Sequence, residues 1–572
     1  MKKYLIFIIT LILFGTGMYA QPELQFVSGQ QDTVNNARHF FRGMTMPGST
    51  LSVNGISFPV YATGAFAAEV NLTEGPNKVN FVVRHGGKET VSELSIFYMP
   101  EKMPQVTSRF EIEEAELIPN LSMLYPGDVL KVRVKTLPDC TVSWLDGNIL
   151  EELPVNKAGV QGIYQGRYVV KENDTLLASP ITLTVKNGEQ SISKEIAKSI
   201  TVISPSDPLY VRSKGANPYL NYGLGQDRLG GSKIGYISAG IDMRVLSKVD
   251  NLYKVQLSNR RSAWIPESEV EEPVAGRLFK PDALASSWNV FGDDNYDYVK
   301  ISLPDKLPYR SFQEINPNRI VVDIYGVATN TAWITQLFTV KTIANVNYEQ
   351  IEDDVLRIFV DLNSKQHWGY SVYYEDNRLV IRVKHQPKQL KIKGLRIALD
   401  AGHGGESDGA VGTTGLKEKD VNLELVMLLK AELEKQGAHI ILTRNDDSDI
   451  GMQQRLNFLR EQNPDILISI HNNAGGNPIT TKGTSTYYRH IGYRSLSTAI
   501  LSKLLELGIE NFGNVGGFNF ALNSPTEYPN VLVEGLFMSN PEDEAKLVDE
   551  NFKIKFVKKI VEGLEGFLKN IR

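Results

Sequence analysis

The sequence predicts a multidomain protein: several all-β modules, of sandwich and small-barrel type, followed by a C-terminal α/β domain with a mostly parallel sheet flanked by helices. Three observations carry this expectation. The chain has 572 residues, and at roughly 150 residues per domain that is enough for about four. Up to about residue 390, short alternating apolar runs are punctuated by Gly, Pro, Asn and Asp. Thr50 to Val53, Lys78 to Arg84, Leu130 to Val134, Ile181 to Val185 and Arg319 to Ile324 are examples, and the pattern is all-β. Beyond residue 390, strand-like runs alternate with long helical periodicity, the pattern of an α/β domain.

Residues 1–20 read as an export signal, which places the mature chain in the periplasm or cell envelope. Lys2 and Lys3 precede an apolar run from Tyr4 to Phe14, too short to span a bilayer comfortably, and Ala20 suits cleavage. No other segment is long and apolar enough to cross a membrane. The net charge of −5 gives no electrostatic case for nucleic acid. A single cysteine, Cys140, excludes an intramolecular disulfide and reads as a buried structural residue.

The β region divides into four. Residues 22–100 carry turn signals at Pro47-Gly48, Asn54-Gly55 and Glu74-Gly75-Pro76-Asn77 and resemble an immunoglobulin-like sandwich. Residues 104–203 read as a second sandwich-like region. In residues 207–273, the stretches Gly235-Tyr236-Ile237, Met243 to Leu246, Tyr253-Lys254-Val255 and Ala263 to Pro266 resemble a bacterial SH3-like barrel. Residues 276–387 resemble the AMIN type of β-domain, through Arg319 to Tyr325 and Arg357 to Asp361. Three roles fit such modules equally: binding wall glycan, binding a partner protein, or spacing the last domain.

In the last domain, residues 390–572, Leu395 to Asp400 reads as a buried strand that runs into Ala401-Gly402-His403-Gly404-Gly405. His403 alone reads as a turn histidine, because the same His-Gly-Gly recurs at His85 in a hairpin signal with no companion ligand pattern in the sequence around it. Glu418 opens a helical pattern over Lys419 to Gln436, with Val421, Leu425, Leu428, Leu429 and Leu433 on one face. Alone, it reads as a helix cap or dipole partner. Asp465 to Ile470 is a second apolar strand, ending at His471-Asn472-Asn473. Asn530 to Val533 is a third, ending at Glu534.

Together these residues say more than each does alone. His403, His471 and Glu534 all end strands, and in open α/β sheets function gathers outside the carboxyl ends of strands. Glu418 can reach the same edge. Two histidines and one carboxylate form a catalytic Zn2+ set with a coordination position left for water.

Residues 394–572 resemble the zinc-dependent N-acetylmuramoyl-L-alanine amidase family, type 3. The matching stretches are Ile397 to Gly405, Gly415 to Leu423, Leu442 to Asp446, Ile468 to Ala474 and Val531 to Asn540, in family order. The resemblance implies a peptidoglycan hydrolase with His403, Glu418 and His471 as zinc ligands and Glu534 as the catalytic residue. Arg444 and Arg455 match basic positions that either position substrate or pair with carboxylates. Two positions after the paired glycines, where the family often has an acidic residue, the chain has Ser407, with Asp408 shifted by one, and it has Asn473 where some members have Asp. A zinc peptidase and a non-catalytic wall-binding protein are the alternative readings. Some members insert a helix that plugs the metal site. His471 and Glu534 are 63 positions apart, and that space is filled by a strand at Thr484 to Tyr488, a helix at Leu496 to Leu507 and a Gly-rich turn at Gly513 to Gly517, so a site not blocked by such an insertion is expected.

Overall fold

A computed structural model describes residues 21–101, 105–145, 147–174, 179–225, 229–275 and 283–572. The expected signal at residues 1–20 lies outside these. Among the described residues, no helix is long and apolar enough to cross a membrane.

All five alternating runs named above fall inside strands: Thr50–Val53, Gly75–His85, Val129–Lys135, Ser179–Asn187 and Asn318–Tyr325. The first β unit packs a three-stranded sheet (Leu24–Ser28, Arg38–Thr45, Ala65–Asn71) against a five-stranded one. Phe41, Phe66, Phe81 and Leu51 fill its core. Its His85-Gly86-Gly87 is a tight hairpin connection: both glycines take positive φ, 55° and 78°, as a two-residue turn between right-twisted strands requires. In the following unit Cys140 is half-buried rather than fully buried, packed at the edge of the core.

The next two stretches share one sheet. Leu121–Leu124 pairs in parallel with Gln190–Val202 on one side and antiparallel with Asp242–Val249 on the other. The sheet therefore continues through the strands of residues 219–266 without a break in hydrogen bonding. In the fourth stretch the two motifs noted in the sequence lie side by side: Asn318–Tyr325 pairs antiparallel with Val355–Leu362, setting Asp323 opposite Arg357. Asp323 is fully buried and bonded to both Arg310 and Arg357, so its charge is compensated.

The C-terminal domain is a six-stranded sheet with helices against it. We label its strands β1 (Arg396–Ala401), β2 (His439–Leu442), β3 (Ile466–Asn473), β4 (Thr484–Tyr487), β5 (Asn511–Val515) and β6 (Asn530–Phe537). Its helices are α1 (Glu418–Lys435), α2 (Met452–Gln462), α3 (Arg494–Leu505), α4 (Pro541–Val548) and α5 (Glu550–Asn570). The strand order is β2-β1-β3-β6-β4-β5. Pairings β1–β2, β1–β3, β3–β6 and β4–β5 are parallel, and β4–β6 is antiparallel. Central strands buried on both faces explain the unbroken apolar runs of β1, β3 and β6.

Helix α1 buries Val421, Leu425, Leu429 and Leu433, each worth about 1.5–3 kcal/mol of transfer free energy. Leu428 is only partly buried, at the edge of that face. The Gly-rich stretch expected as a turn is instead largely strand β5: Gly513, at φ 130°, follows a register shift and pairs with Ser485. Helix α3 packs against α5, and a Cβ at Gly563 would lie 2.6 Å from the Ile500 backbone.

Candidate metal centre

Three carboxyl-end strand positions and one helix start meet at a single cleft. It has a volume of about 640 Å³, and His403, Glu418, His471 and Glu534 all line it. Register explains part of this: parallel β3 and β6 set His471 beside Glu534. His403 follows β1 in a left-handed backbone conformation, φ 64°, uncommon for a residue with a side chain. Such a conformation persists only where its surroundings enforce it.

The enforcing groups are Arg444 and Arg455. Arg444 donates to the carbonyls of Ala401 (2.9 Å), Gly402 (3.0 Å), Lys419 (2.7 Å) and Asp446 (2.9 Å). Arg455 donates to the carbonyls of Ala401 (2.7 Å), His403 (2.6 Å) and Ile450 (2.9 Å), and pairs with Asp400 at 2.7 Å. Both are buried and neither lines the cleft. Their donors are spent on the backbone of the turn that presents His403 and, for Arg455, on the Asp400 carboxylate. Asp400, itself buried, also accepts from Thr443 and Ser469. Burial would raise its carboxyl, but the charge of Arg455 outweighs this and holds it below the ordinary range. Arg455→Met should strand Asp400 as an unpaired buried charge and destabilise the protein by about 3–5 kcal/mol in urea unfolding.

Glu418 is the first residue of α1, yet it caps nothing. Its carboxylate is almost fully buried. Oε2 lies 3.1 Å from His403 Nε2, and Oε1 lies 3.2 Å from His471 Nδ1. The backbone N–H groups of Ala410 (2.8 Å) and Asn472 (3.1 Å) and the side-chain amide of Asn422 (3.2 Å) donate to it. Burial alone would raise this carboxyl. The hydrogen bonds and charges of the two histidines overcome that and hold it well below the usual carboxylate range. Burial likewise opposes charge on His471, while Glu418 and Glu534 raise its affinity for a proton. The pocket is thus built to favour positive charge.

The donor atoms of His403, Glu418 and His471 all lie within 4.8 Å of one another. Two imidazoles and a carboxylate at this spacing fit a zinc ion. The backbone is shaped around them: a Cβ at Gly402 would lie 2.2 Å from the His471 ring, and one at Gly409 would lie 2.5 Å from Glu418 Oε2 and 2.7 Å from the His403 ring. Gly409 also has φ 70°. Gly409→Ala should therefore weaken zinc binding by about 10- to 100-fold, the range for disturbed supports of metal ligands, in a chelator competition assay.

Sequence reasoning missed three contributors. Ser407 Oγ lies 3.0 Å from His403 Nδ1, where it orients the ring and leaves Nε2 toward Glu418. Asn422, one helical turn after Glu418, also bridges to Asn472; its i+4 spacing was the available signal. Phe520 packs edge-to-face on His471 at 5.6 Å, and nothing in its local sequence marks it. Asn473 lines the cleft without joining the metal-ligating group.

Residues 397–566 match the family described as N-acetylmuramoyl-L-alanine amidase, and residues 289–383 match the AMIN domain. The chain is 33% identical over 180 residues to the uncharacterized protein YqiI of Bacillus subtilis, covering 31% of this chain and 86% of that one. It is 26% identical over 392 residues to the N-acetylmuramoyl-L-alanine amidase AmiC of Neisseria meningitidis, covering 53% of this chain and 93% of the relative. Among solved structures it is similar to an N-acetylmuramoyl-L-alanine amidase from Clostridium difficile, with 29% identity, 31% of this chain and 98% of that chain covered, and a TM-score of 0.30.

Proposed function

The chain belongs, through residues 397–566, to the N-acetylmuramoyl-L-alanine amidase family, and from that premise we propose that it hydrolyses peptidoglycan at the amide joining the lactyl group of N-acetylmuramic acid to L-alanine. His403, Glu418 and His471 hold zinc in this reading, and Glu534 handles the proton. The observation that carries it is the convergence of the three donor groups within 4.8 Å, in the same cleft as Glu534.

Zinc in such a set supplies Lewis acidity, which activates a water and polarises a carbonyl. Every other step belongs to the chain. Asn422, Asn472 and Ala410 donate to Glu418 and keep its carboxylate aimed. Glu534 takes a proton from the attacking water as its oxygen bonds to the carbonyl carbon. It then returns that proton to the nitrogen as the C–N bond breaks. The products are a glycan with a free lactyl carboxylate and a peptide with a free alanine amine.

The AMIN match supports a periplasmic or cell-envelope location. In this reading residues 22–100 and 104–203 form two sandwiches, 207–273 an SH3-like barrel, 276–387 the AMIN unit and 390–572 the catalytic domain. The β units hold wall polymer or a partner protein. The reading is tested by digesting purified peptidoglycan with the full chain and analysing the products by mass spectrometry. Intact stem peptides with a new N-terminal alanine are expected. Cuts within the stem peptide would identify a peptidase instead, and an unchanged polymer would indicate a binding protein.

A further inference from the structure

The cleft is not made by the catalytic sheet alone. Leu229, which precedes the strand Lys233–Tyr236 of an upstream β unit, lies on its wall. The fit is fixed by Asn519, which sits between two other wall residues, Phe518 and Phe520. The Asn519 amide donates to the carbonyls of Leu229 (3.2 Å) and Gly231 (2.9 Å), and its oxygen accepts from the Lys233 N–H (3.3 Å). Arg489 adds a bond to the Lys233 carbonyl at 2.6 Å and braces Asn519 at 2.7 Å. The two segments are thus joined across nearly 300 residues of sequence, at the rim of the site.

What they build is apolar. Phe518 and Phe520 pack with centroids 6.1 Å apart, and Phe520 reaches the His471 ring. Leu229 is a further apolar residue in the lining of the same cleft. Beside His403, Glu418, His471 and Glu534, the polar part of the lining is Ser407, Asp408, Asn472 and Asn473. An amide of the proposed kind carries a methyl group on each flank, one on the lactyl ether and one on alanine. A wall of this chemistry suits those methyls, and a charge placed on it would oppose their burial.

We infer that Leu229 is a specificity-determining residue of the cleft, supplied by the upstream β unit to bind the alkyl flanks of the scissile amide. The inference rests on the amidase reading for its substrate. It makes the β unit a working part of the site rather than a tether.

The test uses the full chain and muramyl dipeptide, which contains the amide and both methyls. Leu229→Glu is expected to weaken binding, measured by calorimetry, by about tenfold and to raise KM by a similar factor. kcat should change less than KM, because Leu229 carries no group that takes or returns a proton. Leu229→Met, which keeps an apolar side chain of similar volume, should bind like the wild type. Equal binding by wild type and Leu229→Glu overturns the inference, whether or not the amide is cut. Leu229-dependent binding by a wild type that leaves the amide intact sinks the amidase reading and leaves the wall assignment standing.

Discussion

Replacing Glu534 by glutamine is expected to cut peptidoglycan hydrolysis by about 100- to 10,000-fold while zinc stays bound, the range for losing a positioned general base. The substitution keeps size and hydrogen-bonding capacity but removes the ability to take a proton from water. Zinc should remain because Glu534 is outside the group of three donors that converge. Its place is set by β6, whose register puts it beside His471 on one side and Ser485 on the other. Those backbone pairings do not depend on the carboxylate, so the fold should hold. Steady-state turnover on peptidoglycan, with metal content measured on the same preparation, checks both halves. Activity within about tenfold of wild type would remove Glu534 from proton transfer; loss of zinc would make it a ligand instead.

His471→Ala should abolish zinc binding and activity together, as should His403→Ala. Three protein donors are the minimum seen in catalytic zinc sites, and two rarely hold the ion against water. For His471 the fold should weaken as well, because its ring is enclosed by Gly402, Phe520 and Glu418. Its removal opens a cavity and strips Glu418 of a partner that keeps it ionised. Any stabilisation that zinc gives the folded chain disappears with it, so added zinc should raise Tm in the wild type and not in the variant. Full zinc occupancy in His471→Ala would remove that residue from the ligand set.

Much of the catalytic domain was legible because its signals are strong and local. The apolar runs of β1, β3 and β6 are continuous because both faces of those strands are covered, and α1 shows its buried face at helical spacing. The site was legible through convergence: strand ends in a parallel sheet share one edge, so His403, His471 and Glu534 could be placed together without coordinates. His85 and His403 show where local reading fails. Both sit in His-Gly-Gly, but one precedes a two-residue hairpin and the other is forced into a left-handed conformation by two distant arginines. The roles of Arg444 and Arg455 were open in the sequence for that reason, since most of their partners are backbone carbonyls, which carry no residue signature, and Asp400, the one carboxylate paired with Arg455, lies 55 positions away. Gly513 misled because glycine marks both turns and strained edge-strand positions. The contact between Leu229 and the 518–520 segment is set by tertiary packing alone, and no periodicity or motif announces it.

The central claim is that zinc sits among His403, Glu418 and His471 in the active chain. Anomalous scattering from a crystal of the active, zinc-loaded protein, collected on both sides of the zinc absorption edge, tests it most directly. The account predicts one strong peak, about 2.0–2.2 Å from a nitrogen of each histidine and from a Glu418 oxygen. A peak elsewhere, or an active protein with no zinc at this position, would contradict it.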